Sequence, residues 1–302
     1  MRGIYPALMT GYADDGSVDV GATLALADHL IASGVHGLFV GGTAGEGLVQ
    51  TVDERTRLNA AVLRHVDGRL PVIVHVGSTV FSDTVALGRH AIEHGAEDVA
   101  AIPPLFYALR DHDIDDYFRR LSSAWDRPVM AYHVPSLSHR PTTPARLAAL
   151  AREGAICGVK FSDDDLAEVQ SVIEETRGSG FRLFSGSDPI CLDAQVIGSS
   201  GAVGVSMNAL PRLFADQWSH VERGDFAQAF TSQQVVNRFV SHMFRFNFIA
   251  YLRLVLELQG HAIGHNRAPL PVLTAPERDA IVAFLRDDDE LRAALELPSR
   301  LT

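Results

Sequence analysis

Short runs of apolar and β-branched residues alternate with amphipathic stretches of roughly a dozen residues through the first two-thirds of the chain, the pattern of repeated βα units. Eight such runs read as strands: residues 4–9, 37–40, 72–76, 98–102, 129–132, 156–160, 182–185 and 202–205. Between them, helical spacing covers residues 20–33, 53–66, 83–94, 113–124, 143–152, 164–177 and 189–198. The strands are apolar nearly throughout, as parallel strands covered on both faces must be. Eight strands in this order fit a closed barrel better than an open doubly wound sheet, and no glycine-rich dinucleotide fingerprint follows the first strand. The expected fold is α/β, a (β/α)8 TIM barrel over residues 1–210. Beyond residue 211 the strand pattern stops, while residues 226–246, 248–259 and 276–285 keep helical spacing. Residues 211–302 are therefore expected to form an all-helical C-terminal extension, packed on the barrel or on a partner subunit.

Composition changes this picture in a few respects. The 302 residues suffice for a barrel plus an appendage, and 47% hydrophobic with 21% charged residues is ordinary for a soluble enzyme. A formal net charge of −11 argues against nucleic acid and against an anionic membrane surface as partners. The most apolar late segment, residues 244–258, is too short to span a bilayer and is interrupted by Arg245, Arg253 and Glu257. The chain begins Met1-Arg2-Gly3-Ile4 without a charged head and a long apolar stretch, so no signal peptide is expected. Cys157 and Cys191 lack CxxC spacing and read as reduced thiols of a cytoplasmic protein. Thirteen histidines without HExxH-type spacing suggest no metal, and no cofactor is expected.

The informative exception is lysine. Of 26 basic residues, only Lys160 is not arginine. A guanidinium stays protonated and does not condense with a carbonyl, whereas a primary amine does. Lys160 ends the sixth strand, in Gly158-Val159-Lys160, and residues at the C-terminal ends of barrel strands face the mouth where active sites are built. Tyr132 ends the fifth strand, Gly41-Gly42-Thr43-Ala44-Gly45-Glu46 follows the second, Gly186-Ser187-Asp188 the seventh and Ser206-Met207-Asn208 the eighth. An amine near the apolar barrel axis carries a desolvation cost when protonated, which favours the free nucleophile. Asp163-Asp164-Asp165 pulls the other way, but that run is placed to cap the next helix and face solvent. The glycine-rich turn offers backbone amides near a helix start, which suits a carboxylate. Taken singly, each feature has a plainer reading: Tyr132 as a core aromatic, His75 as a packed barrel histidine, Lys160 as a surface lysine.

Together, Gly42-Thr43-Ala44-Gly45-Glu46, Pro104-Leu105-Phe106-Tyr107, Tyr132-His133-Val134-Pro135, Gly158-Val159-Lys160 and Gly186-Ser187-Asp188 resemble the dihydrodipicolinate synthase/N-acetylneuraminate lyase family of class I pyruvate-dependent lyases. Glu46-Gly47-Leu48-Val49-Gln50 with Glu54-Arg55, His75-Val76-Gly77 and Pro135-Ser136-Leu137-Ser138 are more similar to the neuraminate-lyase branch. The arginine that biosynthetic synthases carry for their second substrate is Leu137 here, with Arg140 nearby but out of register. Pro189 and Val205, where sialic acid's glycerol tail would be held, argue against that substrate.

The resemblance implies that Lys160 forms an imine with a 2-oxo acid, that Tyr132 shuttles the proton, and that Thr43 partners Tyr132. It implies that the amides of Thr43 and Ala44, with Ser162, hold the carboxylate. Gly186, Ser187, Asp188, Ser206, His133, His139 and Tyr107 are expected to meet the rest of the substrate. It also implies a homo-oligomer, a tetramer or dimer. The expected activity is cleavage, condensation or dehydration of a hydroxylated 2-oxo acid, in particular a 2-oxo-3-deoxy-sugar acid, with pyruvate as product. The alternatives are dihydrodipicolinate synthase itself, disfavoured by Leu137, and a non-catalytic regulator that binds a 2-oxo acid. Ala44 gives the regulator some weight, because the family has a second hydroxyl there. Its loss asks His133, His139 or the substrate's own hydroxyl to complete the proton relay.

Overall fold

A computed structural model describes residues 1–138 and 142–298. Eight parallel strands form one sheet: β1 (Gly3–Pro6), β4 (Leu38–Val40), β5 (Val72–His75), β6 (Asp98–Ala101), β7 (Val129–His133), β8 (Ile156–Phe161), β9 (Arg182–Ser185) and β10 (Gly201–Gly204). β1 pairs with β10 at one end, and a parallel bridge from Ala7 to Phe39 joins it to β4 at the other, closing the barrel. β1, β5, β6 and β7 are buried at every residue. Their largely apolar character follows from a sheet with side chains inside and helices outside.

The first barrel strand is shorter than its apolar run. Residues 7–9 continue as irregular backbone toward a two-stranded hairpin, β2 (Gly11–Tyr12) with β3 (Val18–Asp19), which the periodicity did not reveal. Its strands are two residues each, too short for alternation to register.

Local chemistry sets the helix starts. The helix α2 (Val52–Val66) opens on a capping box between Thr51 and Glu54. The helix α7 (Leu166–Glu175) opens on Asp165, whose carboxylate accepts from the amides of Ala167 and Glu168. The acidic run beside Lys160 thus serves a helix start.

After β10, α9 (Pro211–Glu222) packs against β1 with Trp218 buried. It is followed by α10 (Phe226–Met243), α11 (Phe248–Leu258), α12 (Ala275–Asp287) and α13 (Asp289–Ala294). Among the described residues no helix is long and apolar enough to cross a membrane. Cys157 and Cys191 are both free thiols; burial pushes the Cys157 thiol up to about 11 and that of Cys191 higher still.

Candidate active site

Tyr132 and Lys160 are register partners on β7 and β8, so both side chains leave the sheet on the same face, toward the barrel axis. Lys160 is 3% exposed and Tyr132 5%. Lys160 Nζ lies 3.3 Å from the Tyr132 hydroxyl, which lies 3.2 Å from Thr43 Oγ1. The amine also stands 4.4 Å from the Phe39 ring centroid and 4.3 Å from that of Tyr132. Two π faces can hold an ammonium that has left water.

Tyr132 is itself held by aromatic neighbours. The rings of Phe39 and His75 meet it edge-on, with centroids 5.7 and 5.4 Å away. His75 Nδ1 donates to the Gly41 carbonyl at 2.9 Å, and its Nε2 accepts from the Ile102 amide at 3.4 Å. Burial pushes the His75 imidazole down to about 3. It is a neutral spacer that ties the glycine-rich turn to β5 and shapes the tyrosine's socket.

The turn after β4 is exacting. A Cβ on Gly47 would sit 2.2 Å from the Gly41 carbonyl oxygen, so no other residue fits there without moving backbone. Glu46 adopts the left-handed conformation at φ 54°. Its buried carboxylate pairs with buried Arg253 from α11 and accepts from the Arg267 amide at 3.0 Å. Arg253 also donates to the carbonyls of Thr10 and Ile263, at 2.8 and 2.7 Å. Sequence reasoning missed this bolt between the helical region and the turn; a lone arginine within the apolar helix 248–258 was the available signal. Thr43 projects to the exposed side of the turn, while the Ala44 methyl is fully buried. The amides of Thr43 and Ala44 have no partner among the described residues, which leaves both donors free for an anion.

The bolt yields a stability prediction. Arg253→Met strands a buried carboxylate at Glu46, so unfolding free energy measured by denaturant titration is expected to fall by about 3–5 kcal/mol. A loss below about 1 kcal/mol, the level of an exposed pair, would mean that Arg253 does not support the turn.

On the opposite wall, Ser206 donates to Asp188 from both its amide (2.9 Å) and its hydroxyl (2.7 Å). Burial pushes the Asp188 carboxyl up, and its Oδ1 has no partner among the described residues. Ser187 donates to the Asp164 carboxylate. Ser162, half-buried, sits against Gly186, where a Cβ would come within 2.0 Å of its hydroxyl.

One expected substrate contact stands elsewhere. His133 follows Tyr132 on the same strand, and successive strand residues face opposite ways. Its ring lies 4.5 Å from that of Phe161, in the outward layer, and burial pushes its imidazole down to about 4. His133 therefore does not reach the cavity at Tyr132, and the relay assigned to it is corrected. Tyr107 is 64% exposed and is not among the residues that line that cavity. His139 and Arg140 lie outside the described residues.

A cavity of about 150 Å3 opens above Thr43 and Tyr132. Part of its wall comes from Ile249 on α11 and from Leu270, residues no motif pointed to.

A lysine at the end of a barrel strand, within hydrogen-bond reach of a tyrosine that itself lines a cavity, is an arrangement suited to carbonyl chemistry. The chain belongs to the dihydrodipicolinate synthetase family, whose model matches residues 1–287. It is 32% identical to an uncharacterized DapA-like lyase of Halobacterium salinarum, over 95% of this chain and 94% of that one. It is 28% identical to an N-acetylneuraminate lyase of Rhizobium meliloti, over 89% of each chain. Escherichia coli K12 YagE, provisionally named a 2-dehydro-3-deoxy-D-gluconate aldolase, is 29% identical over 94% of this chain and 96% of its own. The crystal structure of YagE in complex with pyruvate superimposes with a TM-score of 0.92 at 28% identity, covering 99% of both chains.

Proposed function

We propose that this protein is a class I lyase that cleaves a 4-hydroxy-2-oxo acid to pyruvate and an aldehyde through an imine on Lys160. The observation that carries the reading is the chain's only lysine, buried at a strand end within 3.3 Å of the Tyr132 hydroxyl. The Lys160 amine attacks the C2 carbonyl, and the carbinolamine loses its hydroxyl as water with a proton given by Tyr132, leaving an iminium and a tyrosinate. Tyr132 accepts the C4 hydroxyl proton, with Thr43 as its hydrogen-bond partner. The C3–C4 bond then breaks, its electron pair moves into a C2–C3 enamine, and the aldehyde departs. Protonation at C3 and hydrolysis of the iminium release pyruvate and restore the amine. The amides of Thr43 and Ala44 hold the carboxylate. With His133 turned outward, the proton passes between Tyr132 and the substrate's own hydroxyl, without an imidazole from β7.

The YagE name supports a 2-oxo-3-deoxy-sugar acid as substrate. The cavity wall favours a second reading, an apolar group on C4. Measuring pyruvate release across a panel of 4-hydroxy-2-oxo acids tests the reaction class; release from none of them would reject it.

The same assay carries an exclusion. Leu137 lines the cavity where the synthase reading requires a cation for the semialdehyde carboxylate. Condensation of pyruvate with aspartate semialdehyde is therefore expected to stay well below the ordinary enzyme range of about 10⁴ M⁻¹s⁻¹ in kcat/KM. Cleavage of N-acetylneuraminate is expected to be equally poor, given Pro189 and Val205. Either reaction at or above that level would overturn the exclusion.

A further inference from the structure

The wall of the cavity above Tyr132 is apolar where a polyhydroxylated tail would need partners. Leu48, Val49, Leu105, Leu137, Ile249 and Leu270 supply it, from two βα loops, the segment after β7 and the C-terminal region. The polar side chains on the lining are already engaged. Thr43 and Tyr132 bond each other, and His75 has both ring nitrogens bonded to backbone. Glu46, the carboxylate of the lining, is turned into Arg253 and the Arg267 amide. Across the mouth, Ser206 donates to one oxygen of Asp188 and Ser187 donates to Asp164, while the second Asp188 oxygen is unpartnered among the described residues but buried away from the surface. Leu48 and Leu137 are 53% and 44% exposed, apolar side chains left in water at the rim. Sugar hydroxyls entering this space would lose water hydrogen bonds without replacing them among the described residues, while an apolar group would cover the leucines.

We infer that the aldehyde half of the substrate is apolar, a phenyl or branched alkyl group on C4 in place of a polyhydroxylated chain. A cavity of about 150 Å3 with such walls has room for a benzene-sized group. The inference rests on the Lys160 imine reading and departs from the sugar-acid form of it only in the group carried on C4. For the phenyl case, C3–C4 cleavage of 4-hydroxy-2-oxo-4-phenylbutanoate yields benzaldehyde and pyruvate, with the C4 hydroxyl proton taken by Tyr132 and a proton returned to C3. No oxidant or further reactant is needed.

The test compares kcat/KM for 4-hydroxy-2-oxo-4-phenylbutanoate, 4-hydroxy-2-oxo-5-methylhexanoate and 2-dehydro-3-deoxy-D-gluconate, followed as pyruvate release by the full chain. The better apolar compound is expected to exceed the sugar acid by about ten-fold or more, the worth of at least one methylene in a fitted pocket. In Leu137→Gln, a rim substitution at a half-exposed site, that ratio is expected to fall by a similar factor, with thermal stability measured alongside. A sugar acid cleaved as well as or better than both apolar compounds would overturn the inference. So would turnover of none of the three in protein that traps pyruvate on Lys160 with borohydride. Failure of that trapping would instead remove the imine reading beneath it, so the two failures are told apart in one preparation.

Discussion

Lys160→Arg is expected to lower pyruvate release by at least on the order of 10⁴-fold, the scale seen when a covalent nucleophile is removed. The substitution keeps the positive charge and much of the length but removes the ability to form an imine. Because Lys160 is buried against Phe39 and Tyr132, the larger guanidinium strains its socket, and Lys160→Ala serves as a second variant. Both are expected to fold, by circular dichroism, and both are expected to be inactive. Turnover by Lys160→Ala within about ten-fold of the parent would be a loss far below that of a covalent nucleophile, and would show that the amine is not the nucleophile.

Tyr132→Phe isolates the proton transfer. The ring keeps its edge-on contacts with Phe39 and His75 while the single hydroxyl between Lys160 and Thr43 is lost. Turnover is expected to fall by about 10²–10⁴-fold, the contribution usual for a general acid–base group. Imine formation with pyruvate, which involves no carbon–carbon cleavage, is expected to survive. Thr43→Val, which removes only the partner hydroxyl, should cost less. A Tyr132→Phe rate within a few-fold of the parent, on a compound the parent cleaves well, would take the proton shuttle away from this residue.

Much of the barrel was legible because its signal is repeated eight times and each strand is largely apolar. Lys160 and Tyr132 stood out for a related reason: strand ends in this fold point to one mouth, and the composition left one lysine to find there. Strand alternation, equally present in the sequence, already forbids Tyr132 and His133 from sharing a face, and it overrules the motif adjacency that grouped them. What the sequence hid is long-range. Glu46 and Arg253 are 207 positions apart, and the lone arginine in an apolar helix hints at a buried partner without saying which residue it is. The capture of Asp188 by Ser206 depends on backbone brought together by β9 and β10, and it changes a residue expected to meet substrate into one that first meets its neighbour. Ile249 and Leu270 reach the cavity from outside the barrel strands, so only the packing of the C-terminal region reveals their share of the apolar wall.

The central claim, that the sole lysine forms an imine with a 2-oxo acid, is open to direct mass measurement. Intact protein is incubated with pyruvate and borohydride, weighed, and then digested and mapped. The account predicts one pyruvate-derived increment per chain, carried by the peptide that contains Lys160 and missing from Lys160→Arg. Labelling confined to the N-terminal amine, or no increment at all, would contradict it.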